Sequence, residues 1–469
     1  MYWLPLLLVT AQAGAQTGAA APAGAQDRAV RMEEIAAKHR AHWGLFAQRI
    51  DTGEILVDRC STCFFTPASI TKLITTALAL TRLGPTHRFT TEVRSAGEHL
   101  YLIGSGDPTL SGRLYPYSPG NGQGAALTPI ETLAATVAAR GVTNVTGDII
   151  GDDTLWPWRP APDGWSHDDF TWDFGAPVSA LTLADSNIAL TILPGARLGD
   201  PARLTLNPPV EYFTIDNRIE TTPNGQRKLR IERMPGSRQL LLSGTIPLAD
   251  RGRTETLAID DPALFAATAF REALLRQGIA VHGVARALHR AQGDAVRSPG
   301  GELLATRTSP PLAQIAQVVN KVSQNLHAEL LLEASGGLDV MSAFLETIVN
   351  TPKSEFRFVD GSGLSRLDTI TPRSMVRLLI HMGPNLDFAA TLPIGATDGS
   401  LQHRYRAKGM EGVRVQAKTG GMTGVQTLAG YVDSRSNGRI AFAMLVNNDN
   451  GPGVVTREAM DRIVAILME

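Results

Sequence analysis

The chain has 469 residues, of which 43% are hydrophobic and 19% are charged. This composition is that of a globular protein, and the length is sufficient for two or three domains. The formal net charge of −1 gives no reason to expect a nucleic-acid partner or attraction to an anionic membrane surface.

The N-terminus has the pattern of an export signal. A short apolar core runs from Trp3 to Val9 and is followed by small residues at 11–15. The apolar run is too short to cross a bilayer, so a cleaved signal peptide is favoured over a membrane anchor. We therefore predict an exported, periplasmic protein without stable membrane insertion.

The first elements after the signal are a helix and a hairpin. Helical spacing covers Val30 to His42, and two short alternating runs follow at Gly44 to Ile50 and Glu54 to Val57. The turn residues Asp51-Thr52-Gly53 between these runs predict a β-hairpin.

The two cysteines of the chain, Cys60 and Cys63, form a C-x-x-C pattern. A thioredoxin-like redox pair is one interpretation, and a local disulfide or two unpaired thiols is the other. The βαβ context that the redox motif requires is absent from this part of the sequence, so we favour the second interpretation.

A capped helix follows the hairpin. Thr66 suits the N-cap, Pro67 the first helical position and Gly84 a left-handed stop, so Ser69 and Lys72 lie on one face of the first turn. A lysine can take the proton of a serine nucleophile if burial or a second cation lowers its pKa. The free N–H groups at the helix start are placed to stabilise an oxyanion.

A long strand-rich region comes next, with helical patterns at Pro129 to Arg140 and Pro262 to Gln277. The 254 positions from Ser69 to Ser323 are too many for a loop, so we predict one or two inserted domains. The predicted division is signal peptide 1–16, linker 17–27, catalytic domain 28–85 and 305–469, and inserted region 86–304.

The C-terminal part supplies the strands that the early hairpin needs. We predict one antiparallel sheet built from both ends of the chain and flanked by helices, an α+β fold. The predicted elements are strands at Val413 to Thr419, Gln426 to Val432 and Arg439 to Asn447, and a helix at Val454 to Leu467.

Three short motifs occur in a fixed order. Ser69-Ile70-Thr71-Lys72 is followed by Ser323-Gln324-Asn325 and then by Lys418-Thr419-Gly420. A lone Ser-x-x-Lys is a weak signal, because it arises by chance in many chains. The three together are the motif set of penicillin-binding proteins and β-lactamases, in which a serine is acylated.

Further blocks extend the resemblance over most of the chain. The sequence resembles the class C low-molecular-mass penicillin-binding proteins, the DacB-like D-alanyl-D-alanine carboxypeptidases and endopeptidases. The additional blocks are Gly104 to Pro108, Gly147 to Asp152, Asp360 to Arg366, Leu392-Pro393 and Asp398 to Leu401. The resemblance implies a penicillin-binding-protein/β-lactamase-like transpeptidase fold with a large insertion, and a hydrolase of the cell wall.

The resemblance also implies catalytic roles. Ser69 would attack the carbonyl of the penultimate D-alanine, with Lys72 as general base. Ser323 would relay a proton to the leaving amine, and Asn325 would position the substrate or Lys72. Lys418 would lower the pKa of Lys72 and meet the substrate carboxylate.

The residues implied in substrate binding are Thr419, Gly420, Gly421, Arg366 and Asp153. The backbone N–H groups of Ser69 and Gly421 would form the oxyanion hole. Arg366 would pair with a carboxylate and Asp153 with a free amine on the stem peptide, or both are ordinary surface charges. Stem peptides and β-lactam inhibitors are the expected partners.

Two positions depart from the usual pattern of the family. Gln324 replaces a common Asp, but its side chain should point away from the cleft if its neighbours point in. Gly421 replaces a Ser or Thr, which removes one side-chain contact. No cofactor is expected, no His/Asp/Glu spacing predicts a metal site, and His327 is more often packed than catalytic at such a position.

Two alternatives stay open at this stage. A β-lactamase would share the acylation chemistry, although no Glu-bearing loop for deacylation is recognisable. A non-catalytic peptidoglycan-binding homologue would keep the fold, although the catalytic residue types are all present.

Overall fold

The computed structural model describes residues 23–120, 123–295, 299–406, 414–434 and 438–469. The predicted signal peptide, the first six residues of the predicted linker and Val413 lie outside these ranges. Within them, every helix is too short or too polar to span a lipid bilayer.

The helices of the described ranges are numbered in chain order. They are α1 Ala23–Ala37, α2 Thr71–Arg82, α3 Thr128–Ala139, α4 Pro262–Arg276, α5 Leu312–Lys321, α6 Asn325–Ala334, α7 Gly337–Ala343, α8 Pro372–Met382, α9 Leu386–Thr391 and α10 Gly453–Leu467. Short 3₁₀ turns at Ala68–Ile70, His167–Thr171, Asp173–Gly175 and Gly399–Leu401 border the site described below.

The strands are numbered in the same way. They are β1 His42–Arg49, β2 Ile55–Arg59, β3 Thr90–Ala96, β4 His99–Ile103, β5 Asn144–Val145, β6 Ile149–Pro157, β7 Asn187–Leu193, β8 Arg203–Asn207, β9 Thr214–Thr222, β10 Lys228–Glu232, β11 Gln239–Pro247, β12 Arg253–Ala258, β13 Ala280–Val281, β14 Ala285–Arg290, β15 Glu302–Thr308, β16 Phe356–Arg357, β17 Thr369–Ile370, β18 Val415–Met422, β19 Val425–Ser434 and β20 Gly438–Asn447.

One five-stranded antiparallel sheet joins the two ends of the chain in the order β18-β19-β20-β1-β2. Both faces of this sheet are covered. Phe442 and Met444 pack with α1 and α10, whereas the alternate residues Ala443 and Leu445 pack with α2 and α8. Because neighbouring side chains point to opposite faces, a strand buried on both sides needs a continuous apolar run, which β20 has. The predicted α+β sheet is confirmed.

Several predicted boundaries were wrong. The first helix ends at Ala37 and not at His42, because His42 and Trp43 already pair with β20. Thr66 does not cap the second helix. A 3₁₀ turn begins at Ala68, whose φ is 50°, and α2 starts only at Thr71.

Other local predictions are confirmed. β1 and β2 form the expected hairpin, and Gly84 after α2 has the left-handed φ of 85° that the helix stop requires. Cys60 and Cys63 are joined in a disulfide. The favoured interpretation allowed either a local disulfide or two unpaired thiols, and the structure has the disulfide. Helices α3 and α4 fall within one residue of their predicted ends.

The region between the two halves of the catalytic sheet has its own sheets. A mixed sheet in the order β14-β6-β4-β3-β15 packs against α3 and α4, and two three-stranded sheets, β12-β7-β8 and β10-β11-β9, share an apolar core. The predicted boundaries at 85/86 and 304/305 stay a prediction. Since β15 pairs with β3 up to Thr308, the sheet favours a second boundary a few residues later.

Candidate active site

The nucleophile candidate Ser69 lies in the 3₁₀ turn that leads into α2. Lys72 is fully buried one turn later, and its Nζ lies 2.9 Å from the Ser69 Oγ. Two backbone contacts hold the turn, because Thr71 and Thr427 donate their hydroxyls to the carbonyls of Ala68 and Pro67. The predicted pairing of Ser69 with Lys72 is therefore present.

Lys72 has two further partners, both of them carbonyl oxygens. Its Nζ donates to the Oδ1 of Asn325 at 2.7 Å and to the backbone oxygen of Ser362 at 2.6 Å. The amide of Asn325 is oriented by its Nδ2, which donates to the Phe174 carbonyl at 2.9 Å. A neutral amine has two hydrogens and one lone pair, and the carbonyls accept both hydrogens. The lone pair then faces the Ser69 hydroxyl, as a general base requires.

The electrostatics of the two lysines differ from the prediction in one respect. Burial lowers the pKa of Lys72 to about 8, and the carboxylates of Asp360, Glu329 and Asp368 oppose this shift. Burial together with Lys72 holds the pKa of Lys418 well below its usual range. We expected Lys418 to lower the pKa of Lys72, but the main cause for Lys72 is desolvation in the core.

The second and third motifs meet on the other side of Lys72. Lys418, which is buried, donates from Nζ to the Ser323 Oγ at 2.8 Å and to the Thr419 carbonyl at 2.6 Å. Gln324 accepts the backbone N–H of Leu326 and so caps α6, a contact that an Asp could also make.

Sequence reasoning missed a hydroxyl in this part of the site. Ser400 lies 2.8 Å from the Thr419 hydroxyl, which donates to it. The segment that carries Ser400 is held by a buried ion pair between Lys321 and Asp398, 2.6 Å apart. The block Asp398 to Leu401 was noticed as a family signature, but its contact with Thr419 depends on this tertiary pairing.

Gly420 allows strand β18 to lie against the nucleophile turn. A Cβ at this position would lie 2.9 Å from the Ser69 nitrogen and 2.2 Å from the Thr427 hydroxyl. Gly421 is more open, because a Cβ there would approach nothing closer than the Gln426 side chain at 3.6 Å. The oxyanion hole of the Ser69 and Gly421 N–H groups stays a prediction.

A cavity of about 480 Å³ opens beside Ser69. Arg366 lies on its wall and donates twice to the Thr423 carbonyl at 3.2 Å. Asp168 and Asp169, on the 3₁₀ turn His167–Thr171, line the same cavity and were not identified from sequence. The cavity thus presents charges of both signs.

Asp153 lies elsewhere. It is buried, accepts the Ser179 hydroxyl at 2.8 Å and faces the His289 ring at 2.9 Å. It lines a separate cavity of about 190 Å³ that does not include Ser69. The structure therefore brings the other predicted site residues together and leaves Asp153 out. Its role in binding an amine stays a prediction, one that this placement does not support.

His327 is packed in the core. Its Nε2 lies 2.9 Å from the Asp185 carboxylate, which also accepts from Arg113 at 2.6 Å. Burial opposes ionisation, but His327 and Arg113 together lower the pKa of Asp185 to about 2. Across the described ranges, no cluster of three or more His, Cys, Asp or Glu residues is arranged to hold a metal ion.

Comparison with known proteins decides the family. The profile of the D-Ala-D-Ala carboxypeptidase 3 (S13) family matches residues 28–468. The chain belongs to this family. It is 34% identical over 433 residues to the D-alanyl-D-alanine carboxypeptidase of Actinomadura sp. (strain R39), which covers 86% of this chain and 77% of that protein. The recognition of a DacB-like penicillin-binding protein is thereby confirmed.

Solved structures agree on the fold. Penicillin-binding protein 4 (dacB) from Haemophilus influenzae superposes with a TM-score of 0.78 at 20% identity, covering 93% of this chain and 98% of that chain. The peptidoglycan endopeptidase Bd3459 from Bdellovibrio bacteriovorus superposes with a TM-score of 0.52 at 17% identity, covering 92% and 93%. The predicted fold class is confirmed.

Proposed function

We propose that the chain is a serine-type D-alanyl-D-alanine carboxypeptidase with D,D-endopeptidase activity on peptidoglycan stem peptides. The proposal rests on the position of the Lys72 Nζ, which lies 2.9 Å from the Ser69 Oγ. Asn325 and Ser362 accept the hydrogens of this amine. The names of the relatives, a carboxypeptidase and a peptidoglycan endopeptidase, support both activities.

Acylation begins with neutral Lys72. As the Ser69 Oγ attacks the carbonyl carbon of the penultimate D-alanine, its proton passes to the Lys72 Nζ. The N–H groups of Ser69 and Gly421 stabilise the tetrahedral oxyanion. Collapse of this intermediate breaks the peptide bond, and the proton reaches the leaving amine through Ser323. Water then attacks the ester and loses a proton to Lys72. Lys72 returns this proton to the Ser69 Oγ as the acyl–oxygen bond breaks, and the shortened stem peptide is released.

The terminal carboxylate of the substrate binds at the end of β18. Thr419 and Ser400 offer paired hydroxyls there, and Lys418 offers an ammonium group. Burial and Lys72 depress the pKa of Lys418, and a bound carboxylate supplies the charge that favours its protonated form. The same site binds the carboxylate of penicillin, and penicillin acylates Ser69; a β-lactam complex of the Haemophilus influenzae protein supports this.

The remainder of the stem peptide lies in the cavity beside Ser69. Arg366 binds a side-chain carboxylate, and Asp168 or Asp169 in the same cavity binds an ammonium group. A stem peptide whose third residue carries both groups fits this cavity best. We also propose that the protein acts after export to the periplasm, which N-terminal sequencing of the mature protein from a periplasmic fraction would test.

Intact-mass spectrometry after incubation with benzylpenicillin tests the main proposal, with Ser69→Ala as the matched variant. We expect a persistent adduct of one penicillin on the parent protein and none on Ser69→Ala, together with release of D-alanine from muropeptides by the parent only. Consumption of penicillin without an adduct would indicate a β-lactamase instead. Intact penicillin and no adduct would indicate a non-catalytic homologue.

A further inference from the structure

A buried carboxylate on α6 lies near Lys72 and is connected to it through Ser362. Glu329 is 2% exposed and follows Asn325 by four residues on α6, so the two side chains share one face of that helix. Asn325 contacts Lys72 directly. Glu329 reaches the same lysine through a loop.

The loop is the segment 360–363, and Glu329 fixes its central peptides. The Gly361 N–H donates to Glu329 Oε2 at 2.9 Å, and the Ser362 N–H donates to Oε1 at 2.8 Å. The carbonyl of Ser362 then accepts from Lys72 at 2.6 Å. Thr75, one turn after Lys72, donates to the Gly361 carbonyl at 2.6 Å and holds the loop from the opposite side.

The direction of the Lys72 lone pair depends on this arrangement. Lys72 points at Ser69 only while both of its hydrogens have carbonyl acceptors, and Ser362 supplies one of them. A loop free to turn would remove that acceptor and let the amine rotate away. A buried glutamate that receives two backbone N–H groups prevents this rotation.

Glu329 and Lys72 also interact through charge. Burial and the neighbouring Asp360 raise the pKa of Glu329 to about 8, and Lys72 opposes that rise. Glu329 therefore gains its charge in the same pH range in which Lys72 loses its proton. In return, Glu329 raises the pKa of Lys72. The other charged groups around the pair are Asp360 and Asp368 on the loop side, Lys418 facing Lys72, Asp153 and Glu333 on the same cavity as Glu329, and Arg159 facing Glu333.

From this geometry we infer that Glu329 is a positioning residue for Lys72: it fixes the Ser362 carbonyl, and its charge sets how readily Lys72 releases its proton. The inference rests on the proposed function, because it assigns Lys72 as the base that activates Ser69.

The test is the second-order rate constant of acylation by benzylpenicillin, measured from pH 5.5 to 10 on the full chain. In the parent, the rate should rise with pH as Lys72 becomes neutral. In Glu329→Gln, we expect a plateau lower by about tenfold and a lower midpoint, because the charge that Glu329 gains near pH 8 no longer favours the protonated form of Lys72. A residue that only supported the loop would lower the plateau and leave the midpoint unchanged.

Glu333→Gln is the matched control, since it makes the same change one turn further along the helix and away from the 360–363 loop. It should reproduce the parental profile. Glu329→Asp provides a second variant if Glu329→Gln does not fold. It keeps the charge but shortens the reach to the loop, so the plateau should fall at least fivefold with a parental midpoint.

The outcomes separate the two proposals. If benzylpenicillin acylates the parent, the proposed function stands. The inference about Glu329 is then overturned by a parental midpoint in Glu329→Gln or by a parental plateau in Glu329→Asp. A parent that is not acylated at any pH overturns both.

Discussion

Replacement of Gly363 by alanine should lower both the acylation rate and the stability of the fold, and a control variant can separate the two effects. Gly363 has a φ of 76°, and a Cβ built on it would lie 1.9 Å from the Ala68 carbonyl oxygen and 2.7 Å from the Thr71 hydroxyl. The first contact is about 1 Å shorter than the van der Waals limit allows, and its partner is backbone, which cannot rotate away. Either the nucleophile turn or the 360–363 loop must move by roughly that distance.

This displacement acts directly on the reacting groups, because Ala68 precedes Ser69 and the loop carries the carbonyl that orients Lys72. A misplacement of about 1 Å costs about 100-fold in rate. The left-handed backbone adds about 1–2 kcal/mol of strain for any residue with a Cβ. We therefore expect Gly363→Ala to lower the acylation rate constant for benzylpenicillin about 100-fold and to lower the melting temperature by several degrees.

Gly278→Ala is the matched control. Gly278 has a similar φ of 82°, but a Cβ there would meet nothing within 4 Å. It should show the loss in melting temperature that the backbone strain causes and keep the parental acylation rate. If Gly363→Ala is acylated as fast as Gly278→Ala, the 360–363 loop does not position the catalytic groups.

Three further predictions follow from the charges. Lys72 has a pKa lowered to about 8 and must be neutral to act as a base. The acylation rate should therefore rise about tenfold between pH 7 and pH 9. A flat pH profile would contradict the role of Lys72 as the base. Arg366→Ala should raise the KM about tenfold for stem peptides with a side-chain carboxylate and leave kcat nearly unchanged, with a simple acyl-D-Ala-D-Ala peptide as the insensitive control substrate. Burial lowers the pKa of His289, but Asp153 and Asp261 outweigh it and raise this pKa to about 9. The folded value therefore exceeds the unfolded value of about 6.5, so the stabilisation is complete below about pH 6.5 and is lost as the pH rises through 9; urea unfolding should show this loss in the parent and not in His289→Gln.

The pairing of Ser69 with Lys72 was predictable although the start of the helix was not. Residues three apart lie on the same side of both a 3₁₀ turn and an α-helix, so the contact survives the change of element. The left-handed φ of Ala68, by contrast, occurs where β18 lies against the turn and only a glycine at 420 fits. No local signal in the sequence carries that information.

The residue types of the site were easier to predict from the sequence than the surroundings of those residues. The low pKa of Lys72 comes from burial by several elements distant in sequence, and a motif gives only the residue types. Asp153 is a second example, because its partner His289 lies on β14, 136 positions further along the chain. The adjacent strands β6 and β14 bring the two together, which is a property of the sheet and not of the local sequence.

The order of the central sheet has a consequence for how the protein is made. Strand β1 finds its partner β20 across the whole chain, as the contact between His42 and Asn448, 406 positions apart, illustrates. At about 5–20 residues per second, the ribosome needs roughly 20–80 s to supply that partner. The strand that carries Lys418 joins the sheet through β19 and β20, so a nascent chain lacks the sheet position of Lys418 until synthesis is nearly complete. We therefore expect a chain stalled or cut before β20 to be inactive, because Lys418 would not be held beside Ser323.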